Sequence, residues 1–287
     1  MIEKKDMALS LAQRLLLLLC LFLVCYILTA AASYLLGHVL VGRAAAALRI
    51  SAMLQDVLAF IVPAVITAVM VTRRPAELLC LRAKASGPVW LLMFAMLVVS
   101  VPAMDAIIYW NAHIPLPEGF AAVARAMEDQ AAGLMRTMLA DDSLASLAVN
   151  ILVVGIAAGF SEEILFRGCF QRLLTTGGVN RHVAIWTVAF VFSALHMQVY
   201  GFVPRMLLGA YFGYLLLWSG SLWLPIAAHV LNNTVYVVTA WWQVRQHSAD
   251  ALASEPMLWN WAVTAASAIL AAATLYGLYK CRIGNRK

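Results

Sequence analysis

Charged side chains are scarce in this sequence. Asp, Glu, Lys and Arg make up 12% of its 287 residues, whereas 64% are Ala, Val, Ile, Leu, Met, Phe, Trp, Tyr or Cys. An ordinary soluble domain has about 25% charged residues and about 45–50% apolar ones. The shortage of charge therefore excludes a soluble domain and indicates an integral membrane protein in contact with the lipid bilayer.

Several common patterns are also missing. The chain has no HExxH motif, no internal repeat, no low-complexity segment and no second soluble domain. It has no CxxC pair, and four of its five cysteines fall in or beside apolar stretches: Cys20, Cys25, Cys80, Cys169 and Cys281. This distribution argues against a disulfide scaffold or a Cys-ligated zinc site, so we expect the cysteines to be packing residues.

The basic residues have a distribution that is typical of membrane topology signals. Twenty Lys and Arg against fourteen Asp and Glu give a net charge of +6, but the positive charges lie in short clusters between apolar runs. A nucleic-acid-binding surface would instead collect them on one face of a folded domain. The sequence therefore predicts no nucleic-acid partner.

Eight apolar stretches approach or reach the roughly 20 residues that a membrane-crossing helix needs. They are residues 11–36, 51–72, 87–109, 144–172, 183–199, 203–219, 222–242 and 258–279. This pattern predicts an all-α, polytopic bundle of about eight transmembrane spans. The fifth and sixth stretches are short and close together, so a tilted, kinked or re-entrant segment is an alternative for one of them.

Loop charges predict the orientation. If the N-terminus is cytoplasmic, twelve Lys and Arg fall on that side, while the other side receives seven acids and only six basic residues, namely Arg43, Arg49, Arg125, Arg136, Arg205 and Arg245. By the positive-inside rule, both termini are expected in the cytoplasm, and the balance suits a bacterial inner membrane. The first span is long and lacks a convincing cleavage site, so it is interpreted as a retained anchor.

One long loop, residues 110–143, is rich in acid and alanine. Apolar residues recur in it at near-helical spacing: Phe120, Val123, Met127, Leu134 and Met138. This pattern predicts an amphipathic helix at the outer membrane interface. A helical connector is favoured over a substrate-handling lid.

Ionisable residues inside the apolar stretches need a partner or a purpose, because burial of one in a bilayer core costs at least about 2.5 kcal/mol. Asp56 and Asp105 fall close to outer ends of their spans. A tighter group lies in spans four, five and seven: Glu162, Glu163 and Arg167, then His196, then His229 with Asn232 and Asn233.

The two glutamates are predicted to have different surroundings. Glu163 and Arg167 are four residues apart on one helix face and can form an ion pair. Glu162 is turned about 100° from its neighbour and has no countercharge on its own helix. Its carboxylate is therefore expected to meet another helix or a water-filled cavity, where it could act as a base.

Depth estimates place these groups in a common slab of the membrane. At 1.5 Å per residue, Glu162 lies roughly 15 Å from the cytoplasmic end of its span, His196 roughly 20 Å, and His229 and Asn233 roughly 10 to 17 Å. Each residue alone is typical of a helix–helix hydrogen bond. Their combination at matching depth favours one functional, water-containing site.

The motifs resemble those of a known family. Glu162-Glu163-x-x-x-Arg167, Phe192-x-x-x-His196 and His229-x-x-x-Asn233 match, in order and spacing, the CPBP family of intramembrane endopeptidases. This family includes type II CAAX prenyl endopeptidases and bacterial Abi or bacteriocin-processing proteins. The resemblance covers about a third of the chain.

The resemblance implies a role for each residue. Glu162 resembles the general base that polarises water together with His196, and His229 and Asn233 resemble the pair that orients the scissile carbonyl and stabilises the oxyanion. Glu163 and Arg167 resemble supporting residues, although exchange of roles between Glu162 and Glu163 is an alternative. A mechanism without a cofactor is favoured, and zinc held by Glu162, His196 and His229 is the alternative.

The predicted function is that of an intramembrane endopeptidase. Its substrate would be a membrane-anchored peptide or protein, cut in or near a hydrophobic or lipid-modified C-terminal segment. The alternatives are a transporter or proton-coupled channel, against which the absence of an inverted repeat argues, and a non-catalytic immunity or scaffold protein. The sequence does not predict an oligomeric state.

On this basis the chain divides into three regions. Residues 1–143 form the N-terminal membrane helices and the outer amphipathic connector. Residues 144–242 form the CPBP-like catalytic helices, and residues 243–287 form an outer loop, the last span and a basic cytoplasmic tail.

Overall fold

The computed structural model describes residues 7–246 and 259–284. Within these ranges the chain is all-helical, which confirms the predicted fold class. The helices are α1 (Leu11–Val39), α2 (Ala44–Val71), α3 (Pro75–Leu78), α4 (Gly87–Val99), α5 (Val101–Ala112), α6 (Glu118–Leu139), α7 (Leu144–Thr176), α8 (Arg181–Ala194), α9 (Phe202–Ser219), α10 (Trp223–Arg245) and α11 (Trp261–Gly284).

Each predicted span overlaps with one helix or, for residues 87–109, with the pair α4 and α5, which bend by 49° at Ser100. Helices α1, α2, α7 and α11 are long and apolar enough to cross a membrane, and the bent pair makes a fifth candidate. The count of eight spans and the orientation of the termini stay predictions. Lys4, Lys5, residues 247–258 and residues 285–287 lie outside the described ranges. The predicted boundary of the third region, between residues 242 and 243, falls within α10.

The exterior of the bundle is apolar, as expected for a membrane protein. On α1, the side chains of Leu16, Ile27 and Leu35 are 60–65% exposed. Such a surface is unfavourable in water and favourable against lipid tails. The chain is therefore a membrane protein.

Helix α7 lies at the centre. All residues of its segment Ile164–Gln171 except Phe170 are buried, and Ile164, Phe166 and Cys169 pack against Ala64 and Ala68 of α2. All five cysteines are free thiols. Two segments of α7, Ile151–Ala157 and Ile164–Gln171, are π-helical and enclose one short α-helical stretch. Such wider turns often mark functional sites.

Glycine pairs bring α7 very close to two neighbours. A Cβ atom at Gly155 would lie 2.7 Å from Thr234 Oγ1, and one at Gly159 would lie 2.9 Å from the Val230 backbone nitrogen, both on α10. On α9, Gly209 and Gly213 provide equivalent space for side chains of α7. Small residues four apart allow this close backbone approach in membrane helices.

Three sequence predictions need correction. Span five was expected to extend to residue 199, but α8 ends at Ala194 and His196 lies on the following turn. Asp56 was expected near an outer end of its span, but α2 begins at Ala44, so Asp56 lies about three turns inside the helix and is 5% exposed. Arg49 and Arg205, counted with the outer loops, lie within α2 and α9.

The amphipathic helix predicted in residues 110–143 is present as α6. Its buried side is formed by Ala121, Ala124, Met138 and Leu139. Phe120, Val123 and Leu134, expected on its apolar face, are about half exposed, at 51%, 51% and 47%. Its location at the outer interface stays a prediction.

Candidate active site

The adjacent glutamates of α7 have different environments. The Glu163 side chain is fully buried, whereas the Glu162 side chain keeps 14% of its surface exposed. Both residues end the short α-helical stretch between the two π-helical segments. Of the pair, Glu162 is the one whose side chain keeps exposed surface.

Glu163 and Arg167 form the ion pair expected from their spacing. Arg167 Nη1 lies 2.6 Å from Glu163 Oε1, and both side chains are fully buried. The guanidinium also donates from Nη2 to the Gly209 carbonyl oxygen at 2.9 Å. Its Cζ atom lies 4.6 Å from the centre of the Phe192 ring. Ion pairing, hydrogen bonding and cation–π contact offset part of the cost of this buried charge. Arg167 Nε and Glu163 Oε2 have no hydrogen-bond partner among the described residues.

His229 lies between the two carboxylates. Its Nδ1 atom is 3.0 Å from Glu163 Oε1, and its Nε2 atom is 3.7 Å from Glu162 Oε2. The ring stacks on Phe212 with 4.9 Å between ring centres and is almost fully buried. When Nδ1 carries the proton, it donates to Glu163 and leaves Nε2 directed toward Glu162. Glu163 can thus fix both the tautomer and the orientation of the imidazole.

His196 joins the group through an aromatic ring. Its Nδ1 atom lies 2.8 Å from the Phe192 carbonyl oxygen. The centre of the Phe192 ring lies 5.0 Å from that of His196 and 5.9 Å from that of His229. In the described part of the chain, no hydrogen bond joins His196 to Glu162. The imidazole is exposed and remains available to a ligand.

Asn233 lies one turn beyond His229 on α10. Its Nδ2 atom donates to the Val154 carbonyl oxygen of α7 at 3.2 Å, and its Oδ1 atom accepts from Asn232 Nδ2 at 3.3 Å. This carbonyl lies in the π-helical segment Ile151–Ala157, eight residues before Glu162, which is about 12 Å along the helix axis. Asn233 therefore contacts α7 but makes no direct contact with the carboxylates among the described residues.

The candidate residues of the three helices that were expected to meet are connected, but not all of them directly. Direct polar contacts connect Glu162, Glu163, Arg167 and His229. His196 is connected through Phe192, and Asn233 through one turn of α10. The close approach of α7 and α10 at Gly155 and Gly159 places the carboxylates beside the imidazole.

Asp56 is a further buried acid at this site that the sequence analysis did not assign to it. Its Oδ1 atom accepts a hydrogen bond from Ser161 Oγ at 2.9 Å, and Ser161 directly precedes Glu162. An acid within an apolar span was the available signal. Its assignment to an outer end of the span concealed its relation to α7.

The residues do not fit the zinc alternative. His229 approaches Glu162, but His196 does not join them, and within residues 7–246 and 259–284 no three His, Cys, Asp or Glu side chains are grouped as metal ligands. Zinc requires three or four such ligands at about 2.0–2.3 Å.

Comparisons with known proteins concern the same helices. Residues 144–235 match the family model of the type II CAAX prenyl endopeptidases described as Rce1-like. An uncharacterised protein of Bacillus subtilis strain 168, YpbD, is 28% identical over 91 residues. That alignment covers 30% of this chain and 43% of YpbD, so the chain spans less than half of its relative. No solved structure matches.

The matched segment begins at the first residue of α7 and includes all seven residues named in the three motifs. The resemblance inferred from their order and spacing is thus confirmed at the level of the family. In its segment 144–235, the chain is similar to the Rce1-like type II CAAX prenyl endopeptidases.

Proposed function

We propose that this protein is an intramembrane endopeptidase that uses Glu162 as its general base. The observation that carries the proposal is the asymmetry of the two glutamates around His229. Glu163 is fully buried and binds Arg167 and His229, whereas Glu162 contacts His229 from the accessible side. Such an arrangement leaves one carboxylate available for proton transfer and fixes the groups around it.

In the proposed reaction, Glu162 takes a proton from a water molecule, and the water oxygen attacks the scissile carbonyl carbon. The carbonyl oxygen gains the negative charge and receives hydrogen bonds from Asn233 Nδ2 and from His229 Nε2, which donates when the ring carries a proton on both nitrogens. The C–N bond then breaks, and the proton held by Glu162 passes to the leaving amine. Prearranged donors stabilise the developing charge more effectively in a water-poor site than in bulk water.

In the proposed mechanism, His196 polarises the attacking water together with Glu162. Its exposed ring lies on the turn after α8, with 5.0 Å between its centre and that of Phe192, whose ring centre lies 5.9 Å from that of His229. We propose that substrate brings this ring and Glu162 to the same water molecule. Catalytic hydrogen bonds are commonly longer in a free enzyme than in its complexes.

The proposed substrate is a membrane-anchored peptide or protein of a bacterial inner membrane. Cleavage would occur in or near a hydrophobic or lipid-modified C-terminal segment. The family match supports a protease at the level of the family. The apolar exterior of the bundle supports a substrate that is presented from the bilayer.

The test is the Glu162→Gln variant. The variant and the wild type would be expressed in cells that lack the protein, and the termini of all membrane proteins would be compared by mass spectrometry. We expect wild-type-dependent cleavage products that are absent with Glu162→Gln, while the variant accumulates in the membrane normally. Asp129→Asn, a change of an exposed acid on α6, is the control and should leave the products unchanged.

Retention of the products by Glu162→Gln would refute the assignment of the base. A transporter would give a different result, because the variant would alter ion or solute flux in proteoliposomes without altering any protein terminus. If the protein were a non-catalytic scaffold, Glu162→Gln would change neither the flux nor the protein termini.

A further inference from the structure

The turn of residues 195–201, between α8 and α9, carries His196 and has an unusual backbone. Met197, the next residue, has a φ of 56°. Left-handed backbone is unfavourable for residues with a Cβ atom. It persists where surrounding contacts determine the conformation, often at functional sites. The contacts that hold this turn therefore also determine where His196 lies.

Asn111 of α5 holds the turn at its far end. Its Nδ2 atom donates to the Val199 carbonyl oxygen at 3.0 Å, and its Oδ1 atom accepts from the Val203 backbone nitrogen at 2.7 Å. The side chain is 2% exposed. One amide therefore bridges the last part of the turn and the first turn of α9.

Glu128 of α6 holds the middle of the turn. Its two carboxylate oxygens accept hydrogen bonds from the Tyr200 backbone nitrogen at 3.0 Å and from Gln198 Nε2 at 2.9 Å. Gln198 Oε1 in turn accepts from Arg205 Nη2 at 2.7 Å. A charged acceptor strengthens such bonds, and Glu128 and Arg205 also attract one another electrostatically.

Asn111 and Glu128 both lie outside the segment that matches the family model. Asn111 and Glu128 lie on α5 and α6, whereas the match begins at residue 144. The amphipathic helix α6 thus does more than connect two spans. It contacts the segment that bears one of the two candidate catalytic histidines.

We propose that Asn111 and Glu128 are positioning residues. They hold the 195–201 turn, in which Met197 has a left-handed backbone, and so place His196 at the active site. This inference rests on the proposed function, in which His196 acts on the attacking water. Without these four hydrogen bonds, the turn relaxes at Met197 and the imidazole moves. A displacement of about 1 Å in a catalytic group can lower a rate about 100-fold.

The experiment compares Asn111→Ala and Glu128→Ala with Asp129→Ala, a neighbouring exposed acid on the same helix. Purified proteins in detergent would be assayed on a peptide substrate that the wild type cleaves. We expect kcat to fall about tenfold or more in the first two variants, with KM within about twofold of the wild-type value. Asp129→Ala should retain the wild-type kcat.

A second measurement does not depend on activity. Hydrogen–deuterium exchange of a peptide covering residues 195–201 should become faster in Asn111→Ala and Glu128→Ala and stay unchanged in Asp129→Ala. Glu128→Gln retains an acceptor for the Tyr200 nitrogen and should give intermediate exchange and intermediate kcat. A thermal unfolding midpoint near that of the wild type ensures that global unfolding does not explain the result.

Unchanged exchange in both alanine variants would overturn the proposal, as would an unchanged kcat or a rise in KM alone. Failure of the proposed function gives a different pattern. In that case Glu162→Gln and His196→Ala cleave as well as the wild type does, whereas exchange of the 195–201 peptide still reports whether Asn111 and Glu128 hold the turn.

Discussion

His229 Nδ1 lies 3.0 Å from Glu163 Oε1, the same oxygen that binds Arg167 at 2.6 Å. One buried carboxylate oxygen thus serves an imidazole and a guanidinium, and the neighbouring Glu162 approaches the other nitrogen of the imidazole. The two glutamates of the motif are therefore not equivalent. Glu163 holds Arg167 and His229 in place through one oxygen, whereas Glu162 keeps part of its side chain exposed.

This difference predicts that the same substitution, glutamate to glutamine, destabilises the protein much more at position 163 than at position 162. Glu163→Gln leaves the fully buried Arg167 without its countercharge, so we expect the free energy of unfolding to fall by about 3–5 kcal/mol. Glu162→Gln removes no ion pair with Arg167 and should cost less than about 1 kcal/mol. Thermal and denaturant unfolding in detergent measure both. Equal losses in the two variants would contradict the assignment.

The close approach of α7 and α10 predicts a second pair of results. A methyl group at Gly159 would lie 2.9 Å from the Val230 backbone nitrogen, which cannot rotate away, so Gly159→Ala should destabilise the protein by about 1–3 kcal/mol. Gly155→Ala meets the Thr234 hydroxyl, which can turn aside, and should cost less.

Gly133 on α6 provides the matched control, because no atom lies within 4 Å of a Cβ at this position. Alanine is the better helix former, so Gly133→Ala should be neutral or stabilising by up to about 1 kcal/mol. If Gly133→Ala destabilised the protein as much as Gly159→Ala, the close approach of α7 and α10 would not be the cause of the destabilisation.

A pH effect is expected where α6 meets α7. The backbone N–H and the hydroxyl of Ser143 donate to Asp141 at 2.9 and 3.1 Å and lower the pKa of its carboxyl group. A carboxyl group with a lowered pKa in the folded state stabilises that state above its unfolded value of about 3.9. This contribution disappears as the pH falls through the folded-state pKa.

Hydrogen–deuterium exchange of residues 141–147, corrected for intrinsic rates, should therefore show a local loss of protection below about pH 4. The loss should be absent in Asp141→Asn, which cannot titrate at this position, and present in Asp142→Asn. A loss of protection that persists in Asp141→Asn would assign the effect to another group.

Metal analysis provides a further prediction. Since Glu162, His196 and His229 do not form a ligand set within the described residues, we expect cleavage to survive treatment with a strong chelator. We also expect purified protein to lack stoichiometric zinc by mass spectrometry. One tightly bound equivalent of zinc that is lost in His196→Ala would overturn the metal-free mechanism.

The sequence predicted the chemistry of the site better than its geometry. Spacing alone indicated the Glu163–Arg167 ion pair and the separate environment of Glu162, because helical periodicity determines which neighbours share a face. The segments that became helices were also predictable, since an apolar run of sufficient length has few other stable structures in a bilayer.

Contacts between distant segments were not predictable. Asp56 meets Ser161, Asn111 meets Val199 and Glu128 meets Tyr200, and no local pattern encodes these pairs. The end of α8 at Ala194 was also missed, because the left-handed turn at Met197 depends on those remote contacts. The glycine pair at 155 and 159 was a visible signal of close helix packing that the sequence analysis did not use.

Phe192 is in contact with residues of all three motifs. Its ring lies 4.6 Å from the Arg167 guanidinium carbon, 5.0 Å from the His196 ring centre and 5.9 Å from that of His229. A single fluorine atom on this ring would therefore be a spectroscopic reporter of the whole cluster. Its ¹⁹F resonance would register protonation, ligand entry and displacement of either imidazole without any change to the groups that carry the proposed chemistry.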